Sequence, residues 1–182
     1  MGIKKVYSYS VGEETGVSPE LVRKDFSKFG IKGHRRGGYD IEELLIALEK
    51  IFGKEQVQNV IIVGMGNMGK ALASYRGFSE YQMNVVAGFD IDQSRLNKRF
   101  DIPVYSVDHL AEVIEAFSVS VAILAVPENA AQQVTDSLVH NGIIGVLNLT
   151  PILLKVPDNV WVNNVNIMVE LERLMFHSGV LK

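Results

Sequence analysis

The sequence predicts an α/β protein built on a doubly wound parallel sheet, with a small helical module before it and a single helix after it. Three observations carry this. Apolar runs and helix-compatible segments alternate from residue 57 to residue 163. The central runs are nearly continuous in Val, Ile, Leu and Ala, as expected where helices cover both faces of a parallel sheet. The first run, Val60-Ile61-Ile62-Val63, passes into Gly64-Met65-Gly66-Asn67-Met68-Gly69 and then into Lys70-Ala71-Leu72-Ala73-Ser74. Strand, glycines and helix in that order make a Rossmann-type unit.

The elements follow in order. Residues 1–52 are expected to form an N-terminal domain. Ser18, Pro19 and Glu20 supply a cap, a proline at the first helical position and an acid in the first turn. Leu21, Val22, Phe26 and Phe29 fall at near-helical spacing, and Gly30 stops the helix. A glycine-rich loop from Ile31 to Tyr39 carries Lys32, His34, Arg35 and Arg36. Asp40 caps a second helix through Leu44, Leu48 and Ile51, and Gly53-Lys54-Glu55 links it to the next domain.

Residues 53–163 are expected to be the sheet domain. Its strands are predicted at Asn59–Val63, Val85–Asp90, Val104–Tyr105, Val119–Val126, Gly145–Leu149 and Val160–Val162. Its helices are predicted at Asn67–Tyr75, Val107–Phe117 and Asn129–Asn141. Residues 164–182 form a tail, in which Ile167, Leu171, Leu174 and Met175 share one helical face. That face is expected to pack on its own domain or on a partner subunit.

The 182 residues are 47% hydrophobic and 21% charged, as in a soluble globular protein. The absence of cysteine excludes disulfides, thiolate catalysis and cysteine metal sites. No apolar run reaches the roughly 20 residues that span a bilayer, and the N-terminus carries no signal-peptide pattern. The expected location is cytoplasmic, with no membrane contact. The net charge of −3 is uneven: residues 1–38 hold eight Lys and Arg against four acids, and the remainder holds ten against seventeen. A basic head on an acidic body suits an anionic partner, although a solvated basic face gives the same count.

The glycine stretch carries the chemistry. Gly64 permits the tight turn, Gly66 lets the backbone approach a pyrophosphate, and Gly69 lets the helix pack closely on the strand. Free N–H groups at Asn67 and Met68 suit phosphate. Asp90 ends the second strand 21 residues past Gly69. It is placed to accept ribose hydroxyls and to repel a 2′-phosphate, which favours NAD over NADP. Asp92 is the alternative acid or a turn residue, and Arg95 stands near enough to weaken the repulsion. Ala125-Val126-Pro127 and Asn148-Leu149-Thr150-Pro151 end two further strands. Val126, Pro127, Asn148 and Thr150 are therefore expected to border the ligand crevice. Their apolar surroundings disfavour a charged nicotinamide, hence favour NADH.

None of the four histidines, His34, His109, His140 and His177, lies in an acid/base motif, and no second domain remains to bind a substrate. Both points lower the enzyme reading.

The segment from Val17 to Gly30 looks like a recognition helix. Ser18, Arg23, Lys24 and Lys28 would face nucleic acid, with Lys32, Arg35 and Arg36 on a wing. Here the chain resembles the Rex family of NADH-sensing bacterial repressors. The resemblance rests on Val22-Arg23-Lys24-Asp25-Phe26-Ser27-Lys28-Phe29-Gly30, on Arg36-Gly37-Gly38-Tyr39 and on Ile62 to Leu72. It continues in Tyr75-Arg76-Gly77-Phe78, Phe89-Asp90-Ile91-Asp92, Ala122 to Pro127, Gly145 to Pro151 and Val165-Asn166-Ile167. It implies a winged-helix domain, a Rossmann domain binding NADH and NAD+, and a C-terminal helix exchanged in a homodimer. It also implies that NAD+ permits operator binding and that NADH releases the DNA by closing the dimer.

Two positions depart from the family pattern. Met1 stands near where the family's first helix, of about two dozen residues, would end. The winged helix is therefore expected to be shortened. Ser10-Val11-Gly12 also weakens the helix that remains, since glycine costs roughly 1 kcal/mol against alanine. Asn166 replaces the family's usual aspartate, which the family pairs with an arginine of that first helix to link cofactor and DNA domains. Three readings stand on these residues: a DNA-binding repressor, an NAD(H)-binding relative without DNA binding of its own, and a small NAD-dependent oxidoreductase.

Overall fold

The computed structural model describes residues 4–34, 37–53, 57–96 and 100–179. The chain divides into two compact units, Met1–Gln56 and Val57–Lys182.

In the first unit, β1 (Lys5–Val6) pairs antiparallel with β2 (Tyr39–Asp40), Lys5 opposite Asp40 and Val6 opposite Tyr39. Between them lie α1 (Ser8–Thr15) and α2 (Pro19–Lys28), and α3 (Ile41–Ile51) follows. The caps stand where the sequence places them. The Ser18 hydroxyl accepts the Leu21 N–H, and one Asp40 oxygen accepts the N–H groups of Glu42 and Glu43. Val22, Tyr39 and Leu44 form the small core, with the Phe26 ring edge-on to Tyr39 at 4.9 Å. Leu21 and Phe29, apolar and at near-helical spacing with Val22 and Phe26, are exposed. Leu21 lies about 100° round the helix from Val22, and Phe29 lies past the last helical residue.

α1 and α2 are joined through Gly16, Val17 and Ser18 as a helix-turn-helix. Gly12 reverses its sequence expectation. A Cβ there would stand 2.6 Å from the Val17 carbonyl oxygen. The glycine that weakens α1 in isolation is the one that lets the turn close against it. After α2 the chain makes a hairpin, His34 donating to the Gly38 carbonyl and Gly37 to the His34 carbonyl, both at 2.8 Å. Arg35 and Arg36, expected at its tip, lie outside the described residues.

The second unit is a six-stranded sheet. Its strands are β3 (Gln58–Val63), β4 (Met83–Asp90), β5 (Val104–Ser106), β6 (Val121–Leu124), β7 (Gly145–Asn148) and β8 (Trp161–Asn164). They run in the order β5-β4-β3-β6-β7-β8, every pair parallel. The helices are α4 (Asn67–Ala73), α5 (Gly77–Glu80), α6 (Gln93–Leu96), α7 (Leu110–Ala116), α8 (Glu128–His140) and α9 (Ile167–His177). The short α5 and α6 and the small β1–β2 sheet escaped the sequence reading, since four-residue helices and two-residue strands carry no readable period. α7 is preceded by a 3₁₀ turn at Val107–His109, capped by the Ser106 hydroxyl. The strand expected over residues 119–126 pairs only over Val121–Leu124.

Alternate side chains of the central strands enter two cores. Ile61, Val63, Phe89, Ala122 and Leu124 pack with Leu110, Ile114, Ala131 and Leu138 on one face. Val60, Ile62, Met65 and Ile123 pack on the other with Leu72, Phe78 and Val85. Strand order reverses between β3 and β6, which opens a crevice at their carboxyl ends.

Candidate functional site

A cavity of about 500 Å³ lies in that crevice, lined by the glycine turn, the ends of β4 and β6, and the first turns of α8. Its volume is within the range of cofactor pockets, about 300–1,000 Å³. Of the residues singled out from sequence, Gly64, Gly66, Asn67, Met68, Asp90, Asp92, Val126 and Pro127 line it.

The glycines act by what a side chain would strike. Gly64 has φ +98°, and a Cβ there would collide with the Ala125 carbonyl group. A Cβ on Gly69 would collide with the Gly64 carbonyl group, so α4 sits directly on the turn. A Cβ on Gly66 meets nothing closer than Arg95 Nη1 at 4.0 Å. It would project into the space that a bound group needs. No side chain caps α4, and its first residues, Asn67 and Met68, line the cavity, where uncapped N–H groups suit an anion.

Asp90 is 5% exposed, and both its oxygens accept hydrogen bonds. Oδ2 takes the Met65 N–H at 2.8 Å and Arg95 Nη1 at 2.7 Å, and Oδ1 takes the Asp92 N–H at 2.9 Å. Burial alone would raise its pKa. The Asp92 N–H, the Arg95 guanidinium and the Met65 N–H outweigh it and hold the carboxyl below its ordinary value. Asp92 is the turn residue that the sequence offered as one of two readings, and it also stands at the cavity. It accepts the Ser94 N–H at the start of α6, and it lines the cavity, with its other oxygen 3.3 Å from Arg95 Nε.

Asn148 and Thr150 were expected at the crevice and do not line it. Asn148 is fully buried. Its amide donates to the Ile152 carbonyl and to Asn164 Oδ1, and its oxygen accepts the N–H and hydroxyl of Thr150. Every polar atom is used internally, so the pair ties the loop after β7 to the end of β8. Asn166, just beyond, caps α9 by accepting the N–H groups of Met168 and Val169.

In the first unit, Arg23 reaches Ser8 Oγ of α1 at 2.9 Å and Glu20 at 2.7 Å. The Ser18 hydroxyl is engaged as a cap. Lys24, Lys28 and Lys32 are exposed. Arg23, Lys32 and His34 border an open groove between the helix-turn-helix and the hairpin. His109 pairs with Glu112, and His140 ends α8. Neither lines the cavity.

The redox-sensing transcriptional repressor Rex of Pelotomaculum thermopropionicum is 40% identical over 177 residues, which is 97% of this chain and 83% of the relative. Rex of Carboxydothermus hydrogenoformans is 41% identical over 177 residues, 97% of this chain and 85% of the relative. The chain belongs to the Rex family. A family model described as CoA binding domain also matches residues 55–152. Among solved structures, RSP, a Rex-family repressor, matches in complex with β-NAD+ and operator DNA. The TM-score is 0.87, with 35% identity over 96% of this chain and 81% of RSP. The β-NADH complex of RSP matches at a TM-score of 0.81, with 34% identity over 96% and 82% of the two chains.

The structure adds wall residues to this Rex-family cavity that sequence reading passed over. Ile91, Val107, Ala130 and Val134 add apolar side chains to its lining. Ala130 and Val134 are four apart on α8, so one helical face points inward. That spacing was readable. Val107 was not, since it reaches the cavity only through the pairing of β5 with β4.

Proposed function

We propose that this chain is a redox-sensing transcriptional repressor that binds operator DNA and releases it when NADH fills the cavity at the glycine turn. The observation that carries the reading is the coexistence, in one Rex-family chain, of a helix-turn-helix bearing exposed Lys24 and Lys28 and a cavity lined by the glycine turn and Asp90. Its relatives are repressors, and the chain is a regulator rather than an enzyme.

The residues fit an NAD(H) ligand. Gly66 leaves the space a pyrophosphate needs, and the uncapped start of α4 supplies donors for its charge. Asp90, with Asp92 beside it, faces the adenosine ribose. Ile91, Val107 and Val134 would offer apolar walls to the adenine, and Val126 and Pro127 would border the nicotinamide; all five line the cavity. A bound nicotinamide changes charge with redox state, and an apolar wall favours its neutral, reduced form.

On the DNA side, Ser18, Arg23, Lys24 and Lys28 present α2 to the duplex, with Lys32, Arg35 and Arg36 on the wing. Arg23 exchanges its contacts with Ser8 and Glu20 for phosphate or base. We assign residues 1–52 to DNA binding, 53–163 to NAD(H) binding and 164–182 to dimerisation. α9 supports the last assignment: none of its residues is buried, and Ile167, Leu171, Leu174 and Met175 are all exposed. Exchange of α9 between two subunits of a homodimer covers that face. No helix among the described residues is long and apolar enough to cross a membrane, and we place the protein in the cytoplasm with its DNA.

NADH releases DNA only by binding the released form better than the DNA-bound form. The test is a fluorescence-anisotropy titration of operator-like DNA with and without NADH. Salt-sensitive binding that NADH reverses and NAD+ preserves is expected. Absence of specific DNA binding at low salt by a folded dimer would sink the repressor reading.

A further inference from the structure

His34 is fixed in the hairpin after α2. Its N–H donates to the Gly38 carbonyl and its carbonyl accepts the Gly37 N–H, both at 2.8 Å, so both polar groups of its backbone are engaged. The residue is exposed and borders the groove between the helix-turn-helix and the hairpin. Among the described residues lining that groove, Arg23 and Lys32 are cations, Tyr7 and Tyr39 are the other ionisable side chains, and none is a carboxylate. Lys5 of β1 adds a third cation. Its Nζ stands 3.7 Å from the point where a Gly37 Cβ would lie, and His34 Cβ stands 2.9 Å from the same point. Two acids belong to the neighbouring elements, and neither lines the groove. Glu20 pairs with Arg23 at 2.7 Å, and Asp40 caps α3 and stands opposite Lys5.

We propose that His34 is a DNA contact that engages a backbone phosphate as imidazolium, so that operator binding takes up a proton and strengthens as pH falls. The inference rests on the DNA-binding reading above and adds a regulation to that interface. Imidazole is the side chain whose charge ordinarily changes between about pH 5 and 8. The groove residues offer an imidazolium no carboxylate partner, and a phosphate supplies one. Its oxygens favour the charged ring through Coulomb attraction and a charge-assisted hydrogen bond. The proton comes from solvent on binding and returns to it on release. Lysine and arginine stay charged throughout that range. Arg23, Lys32 and Lys5 therefore supply a constant attraction, and His34 supplies the part that depends on pH.

The test is an anisotropy titration of operator-like DNA by the full chain, without NADH, at about pH 6 and about pH 8 and at fixed ionic strength. One proton taken up changes Kd by at most about tenfold per pH unit, and the wild-type chain is expected to bind at least about fivefold more weakly at the higher pH. His34→Gln should bind weakly at both pH values, with Kd constant to within about twofold, and His34→Lys should bind tightly at both. The slope of log K against log salt should be steeper at the lower pH by up to about 0.9 in the wild-type chain, and unchanged by pH in either variant. The other three histidines are present in all three chains, so the difference among them belongs to His34. A His34→Gln chain that keeps the wild-type pH profile would overturn the proposal. So would a His34→Lys chain that binds as weakly as His34→Gln, since charge at that position would then count for nothing. Absence of DNA binding by the wild-type chain at both pH values would sink the DNA-binding reading itself, and this proposal with it. Far-UV circular dichroism and a thermal midpoint for each variant separate lost binding from lost folding.

Discussion

Asp90 Oδ2 accepts the Met65 N–H at 2.8 Å, tying the end of β4 to the first peptide after Gly64. The residue expected to read the ribose is therefore also the residue that holds the glycine turn. Replacing it removes a buried acceptor and leaves the Met65 N–H without a partner. Asp90→Ala should cost about 1–3 kcal/mol of folding stability and weaken NADH binding at least about tenfold. Urea denaturation beside an NADH titration checks both. Unchanged NADH affinity would move the ribose contact to Asp92.

The same carboxylate sets a pH dependence. Its folded-state pKa lies below the ordinary value because the Asp92 N–H, Arg95 and the Met65 N–H outweigh burial. The stability it contributes is fully present above the unfolded-chain pKa of about 3.9 and is lost as pH falls through the lower folded value. Denaturation midpoints measured from pH 7 down to pH 3 should show this loss in the wild-type chain. In Asp90→Asn that component should be absent.

Gly12 offers a test in which local propensity and packing disagree. Alanine is the better helix former by roughly 1 kcal/mol. Its Cβ, however, would stand 2.6 Å from the Val17 carbonyl oxygen, where backbone rather than a pliant side chain must move. Gly12→Ala should therefore destabilise the first unit by about 1–3 kcal/mol. DNA affinity should fall while the NADH titration is unchanged. A stabilised variant would show that propensity dominates.

Lys24 is exposed on α2, and Arg23 is held by Ser8 and Glu20 on the same helix-turn-helix. Lys24→Ala should weaken operator binding and reduce the slope of log K against log salt by about one. Arg23→Ala should weaken it as well, with some loss of α1–α2 packing visible in thermal melting. NADH affinity should not move in either. Changed NADH binding with intact DNA binding would remove α2 from the DNA interface.

α9 carries an apolar face without a cover in the single chain. Leu171→Asp should shift the chain from dimer to monomer by light scattering. A variant that remains dimeric would place the dimer contact elsewhere.

The sheet domain was largely legible because its signals are local. Val60–Val63 feeding Gly64 to Gly69, and Asp90 ending the second apolar run, are readable one residue at a time. So are the caps at Ser18 and Asp40. Asn148 and Thr150 misled because a strand end says where a residue stands, not which partners its polar atoms find. Here Asn164, sixteen residues away, takes the amide. Gly12 misled in the same way, since its value lies in a contact with Val17 and not in its own helix.

The sequence by itself determined the sheet, the cofactor turn and the basic character of α2, because each depends on residue type, spacing and the order of elements. Only the tertiary structure decided that Arg95 is shared between Asp90 and Asp92, that Gly12 is a packing requirement and that Asn148 is a joint. Those are contacts across turns and between strands, and their energies depend on distances of a few tenths of an ångström that no periodicity encodes.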